Sequence, residues 1–166
     1  MKALLTILIL CSALNTFSQN VSQYDNILLT NAKEYRKAEP QVVLASDYVY
    51  STPMDKENLN RNNAIAFIIK WMVGTSDFPF VRDEAIYKIT NSDKDLLGLY
   101  YACLVKYALE KGKGIDRDEL RYNSYVLFAG YCENPDNNYK PRGEMKKMLD
   151  AKNQNKLKEY LETKQK

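Results

Sequence analysis

The chain has 166 residues, with 24 lysines and arginines against 21 aspartates and glutamates, and no histidine. A net charge of +3 over that length is too balanced to mark nucleic acid or an anionic membrane as the partner. Without imidazole there is no Ser–His or Cys–His nucleophile pair, and the commonest general base and zinc ligand are missing.

The first stretch, "MKALLTILILCSALNTFSQN", has the layout of an export signal. Lys2 supplies the positive end, and Ala3 to Leu14 form an apolar run too short for a comfortable membrane span. Thr16 and Ser18 place small residues where a signal peptidase needs them, so residues 1–18 read as a signal peptide and Gln19 as the new N-terminus. A lipid anchor at Cys11 fits less well, because Leu8-Ile9-Leu10 lacks the small residue expected before a lipidated cysteine. Residues 19–166 then form one all-helical domain, periplasmic or extracellular, with no transmembrane segment after signal removal.

Helical periodicity runs through most of that domain. Val21 to Ala38 is expected as a first helix, and Pro40 as the first-turn residue of a second that ends at Ser51-Thr52-Pro53. Asp55 is the expected cap of a third helix, whose residues Ala64, Ile65, Phe67, Ile68, Trp71 and Met72, with Ile69 and Val73 widening the stripe, make it central and buried. The segment 80–90 is compatible with either a short helix or an extended connector. Ser92 and Asp95 resemble a capping box opening a fourth helix that stops at "KGKG". Asp116, Asp118 and Glu119 suit the start of a fifth, which ends before Pro135. Two short amphipathic helices follow Pro141, with a break around Asn153 to Asn155. The expected fold is therefore all-α, a single domain of about five to seven helices packed as antiparallel hairpins.

The signal ending in "FSQ", the small helical domain and the "W-M-x-G-T" break together resemble the short exported all-helical proteins of unknown function of the Bacteroidetes type. That resemblance spans most of the chain. It implies export and a helical fold, and no activity or binding residues.

The stretch "WMVGTSDFPF" holds the chain's one tryptophan. Gly74 reads as a left-handed helix stop, with Phe78 or Phe80 folding back onto Trp71 and Pro79 preventing the helix from resuming. If this domain has a ligand-binding face, its candidate residues are Trp71, Thr75, Asp77, Phe78 and Phe80. The tyrosines, thirteen in number, suggest carbohydrate or peptide contact, but Tyr48, Tyr100, Tyr107 and Tyr131 lie at core-facing helical positions.

Three acidic groups, Asp83-Glu84, Asp93/Asp95 and Asp116/Asp118/Glu119, hold carboxylates of the kind glycosidases pair. The latter two sit at helix starts, where the helix dipole already accounts for them. The loop "ENPDNNYKPRG" has oxygen ligands but not the spacing of a calcium site, so no metal and no cofactor are expected. The basic excess after Lys140 suits an anionic surface, though lysines on the outer faces of amphipathic helices need no partner.

Cys103 and Cys132 lie on the fourth and fifth helices. Folding that hairpin about Gly114 puts them out of step by roughly 10 Å along the axis. A disulfide spans no more than about 7 Å between Cα atoms. Two buried thiols are expected.

The function expected by elimination is an exported, non-enzymatic helical module that binds a protein or peptide in the envelope or outside the cell. The alternative is a hydrolase acting on envelope material through a carboxylate pair.

Overall fold

The computed structural model describes residues 23–165; the signal-peptide reading, and the N-terminus it implies, fall outside them. Among the described residues there are seven α-helices and no strand. These are α1 (Ala32–Ser51), α2 (Leu59–Gly74), α3 (Glu84–Thr90), α4 (Lys94–Lys111), α5 (Arg117–Glu133), α6 (Gly143–Asn153) and α7 (Leu157–Thr163). The long helices α1, α2 and α4 pack on one another, and α5 lies on α4. The shorter α6 and α7 pair with each other, and α6 also touches α3 and α5. No helix among the described residues is long and apolar enough to cross a membrane.

The two helices expected before Pro53 are one. Pro40 lies inside α1, on its exposed side. Its missing N–H leaves the exposed Arg36 carbonyl to solvent, a cost of about 3 kcal/mol in a helix interior. Ala38, Val42, Ala45 and Val49 form an unbroken buried stripe across the proline, and burying four such side chains outweighs one lost hydrogen bond. The helix also starts later than its periodicity suggests. Asn31 caps it by accepting from the N–H groups of Lys33 and Glu34. Tyr24, in the turn before it, still reaches the core and stacks on Phe67 with ring centroids 4.5 Å apart.

Caps account for the other shifts. Asn58, not Asp55, starts α2 by accepting from the Arg61 N–H. Asp93, not Ser92, starts α4 by accepting from Asp95 and Leu96. Ser92 and Asn91 instead take left-handed backbone angles that reverse the chain after α3. Asp116 caps α5, with Asp118 and Glu119 in its first turn as expected.

Gly74 is not a left-handed stop. It is the last residue of α2, and the extended Thr75 follows it. Glycine fits here because a Cβ would lie 1.8 Å from the Tyr35 hydroxyl oxygen. Gly98 plays a similar part where α4 crosses α2: a Cβ there would lie 2.6 Å from Cγ2 of Ile65. Gly98→Ala is expected to lower the thermal midpoint. The overpacking costs about 1–3 kcal/mol, against about 1 kcal/mol gained in helix propensity. A raised midpoint would mean that Ile65 yields freely.

Arg61 is almost completely buried, and its partners are carbonyls rather than a carboxylate. Its Nη1 donates to the Val49 and Thr52 carbonyls and the Thr52 hydroxyl at the C-terminus of α1. The guanidinium thus faces the negative end of a helix dipole, and it lies over the Tyr131 ring. Tyr131 donates to the same Thr52 carbonyl at 2.7 Å.

Cys103 and Cys132 are free and buried. In the α4–α5 hairpin the Tyr100 ring meets those of Tyr125 and Phe128, at 4.8 and 5.8 Å between centroids, a register close to the one expected. Burial pushes both thiols up, Cys132 to about 12. Titration of unreduced protein lacking residues 1–18, and with them Cys11, is expected to find two thiols, and only after denaturation. Rapid labelling of the folded protein, or no thiol at all, would contradict the packing.

Candidate functional site

Trp71, Phe78 and Phe80 form a filled aromatic cluster. Trp71 has no exposed surface, and Phe78 is buried beside it. Centroids of the Trp71, Phe78 and Phe80 rings are 5.7–6.1 Å apart. The indole Nε1–H donates to the Tyr35 carbonyl at 2.9 Å. Thr75 accepts from the backbone N–H of Asp77 through its hydroxyl, at 3.3 Å. Asp77 is clamped by Arg36 at 2.8 Å and Lys113 at 2.7 Å, which hold its carboxyl well below the usual carboxylate range. The five candidate residues are brought together, but as a seal: the aromatic faces meet one another, and Asp77 ties α1 to the α4–α5 turn.

Most of the acidic side chains are occupied as well. Asp83 accepts from Arg121 Nε at 2.7 Å, from the Tyr125 hydroxyl at 3.0 Å and from the Ala85 N–H at 3.0 Å. Glu84 pairs with Arg82 at 2.7 Å. Asp93 and Asp95 share Lys56, at 3.6 and 3.3 Å. Glu119 accepts from the Tyr107 hydroxyl at 3.1 Å. A glycosidase acid needs a carboxyl whose pKa is raised. Asp77 and Glu144, which lie outside the three acidic groups, are moved the other way by the cations beside them.

Among the described residues no group of three Cys, Asp or Glu side chains converges as a metal site. The stretch 133–143 runs from the last residue of α5 to the first of α6 and contains one 3-10 turn, Pro135–Asn137. Asn137 is buried there, donating to the Tyr131 carbonyl and accepting from the Met54 N–H.

The site that sequence reasoning missed lies where α3 meets the start of α6. An open cleft of about 630 Å³ runs between the end of α3, the α3–α4 turn and residues 139–145. That volume is within the range of small-ligand and peptide pockets. Ile89, Leu96 and Met145 form its buried apolar floor, and the half-buried Tyr139 lines one wall. Lys88, Lys140 and Arg142 stand around it, all exposed.

Two acids also line the cleft, and each is already held. Asp93 caps α4 and meets Lys56. Glu144 bonds first to Lys147 (2.7 Å), then to Lys164 (2.6 Å) and the Tyr160 hydroxyl (2.8 Å), and is held down to about 2. Lys88, Lys140 and Arg142, by contrast, have no anionic partner among the described residues. The cleft therefore carries uncompensated positive charge over an apolar base.

The basic excess after Lys140 is the one signal in the sequence that bears on this cleft. Its other wall lies in the 80–90 segment, whose structure the pattern leaves open. No family model, curated protein or solved structure matches the chain.

Proposed function

We propose that the protein is an exported, non-enzymatic helical module that binds a protein or peptide partner, and that the cleft between α3 and the start of α6 receives it. The observation behind this reading is the pairing of an apolar floor with three cations that lack partners. Peptide grooves commonly combine apolar pockets that take side chains with polar groups that fix register. The hydrolase alternative finds less support, because Asp83, Glu84, Asp93, Asp95 and Asp116 are engaged in caps and ion pairs.

The test is retention of the protein on an immobilised library of short peptides, with and without Lys140→Glu. One sequence class should be retained by the parent and lost by the variant. Equal retention by both would remove the cleft from the reading, and no retention by either would count against peptide binding as a whole. Export is tested separately. Mass spectrometry of the periplasmic or secreted protein should find Gln19 at the N-terminus, whereas a diacylated Cys11 or a retained Met1 would exclude the plain signal reading.

A further inference from the structure

We infer that the segment received in this cleft is acidic and extended, with its carboxylates directed to Lys88, Lys140 and Arg142 and an apolar side chain lodged over Ile89, Leu96 and Met145. The inference rests on the cleft being the peptide site, and it adds the chemical class of the partner.

Charge complementarity selects the class. The three cations come from two parts of the chain, one on α3 and two before α6, and they border one concavity. Asp93 shares Lys56 with Asp95, and Glu144 is held by both Lys147 and Lys164, so these three acids are matched by three lysines and do not offset that charge. A basic segment would meet three like charges, and a wholly polar one would leave the apolar floor wet. An anionic bilayer is a weaker match, because a flat surface does not enter a cleft to reach Ile89 and Met145. A chain alternating acidic and apolar residues presents both kinds of group in an extended conformation.

Each exposed ion pair contributes only modestly, so three together are worth about tenfold or somewhat more in affinity. The probe is an acetylated, amidated octapeptide of alternating glutamate and leucine, titrated into the full protein by calorimetry. Its counterpart has every glutamate replaced by glutamine. The acidic peptide is expected to bind at least about tenfold more tightly at low salt, and this margin should shrink at high ionic strength as the charges are screened. Lys88→Gln with Arg142→Gln should cut the margin to the smaller share left to Lys140 while leaving the thermal midpoint unchanged, since both side chains are exposed.

Equal binding of the two peptides would overturn the acidic assignment and leave the peptide-binding reading standing. Failure of both octapeptides, with library retention still dependent on Lys140, would do the same. Failure of both with no library retention would sink the two together. Vesicles of equal phosphatidylglycerol and phosphatidylcholine form the remaining arm: binding to them that depends on Lys88 and Arg142, without peptide binding, would replace the peptide by a membrane surface.

Discussion

Trp71→Ala is expected to destabilise the domain by about 3–5 kcal/mol, the range for truncating a buried aromatic side chain. The indole has no exposed surface and packs against both Phe78 and Phe80. Its loss opens a cavity at the junction of α1, α2 and the connector to α3, and the Tyr35 carbonyl loses a donor there. Phe67→Ala should fall in the same range, because Phe67 is buried and stacked under Tyr24. Two residues beyond Trp71, Val73 is 78% exposed, and Val73→Ala should change stability by no more than about 0.5 kcal/mol. Thr75→Ala should cost far less than Trp71→Ala, since it removes one 3.3 Å bond within a turn. Thermal or urea unfolding checks the series. An unchanged midpoint for Trp71→Ala would mean that the aromatic cluster is open, and would return the stretch to candidacy as a ligand face.

Asp83→Ala is expected to cost about as much, roughly 3–5 kcal/mol, because it strands a largely buried cation. The Asp83 side chain is 6% exposed and that of Arg121 is 17%. Removing the carboxylate leaves the guanidinium and the Tyr125 hydroxyl without their acceptor, and α3 without its cap. A seven-residue helix is too short to hold itself together in water. Loss of its anchor should therefore also displace Lys88 and weaken the cleft. Glu84→Ala is the control, since its partner Arg82 is exposed and such pairs contribute about 0–1 kcal/mol. If Asp83→Ala and Glu84→Ala unfold at the same midpoint, the buried network does not anchor α3.

Burial was legible wherever the apolar stripe was strong. Ala64, Phe67, Ile68 and Trp71 along α2 could be read from spacing alone, since a side chain's place on a helix follows from 3.6 residues per turn. Ile65 and Met72 on the same stripe are only half-buried. Caps were harder to read. Asp55 and Asn58 are both good capping residues, as are Ser92 and Asp93. The choice between neighbours depends on where packing fixes the first turn, which no local rule contains.

Pro40 and Gly74 misled for a related reason. Each carries a strong local preference, yet the stripe from Ala38 to Val49 keeps α1 continuous through Pro40. At Gly74 it is the Tyr35 ring, brought across from another helix, that makes a side chain unwelcome.

The sequence by itself determined the helical class, the buried tryptophan and its aromatic clasp, the start of α5 and the free cysteines. These follow from periodicity, from first-turn charge and from the fixed rise of a helix, all properties of neighbouring residues. Only the tertiary structure decided that Asp83 and Arg121 form a buried pair across α3 and α5. It alone brought Lys88 beside Lys140 and Arg142 around one cleft. Those meetings join residues 38 to 54 positions apart. They depend on how α3 and α6 are laid against each other, and that is set by the shapes of buried surfaces rather than by any pattern along the chain.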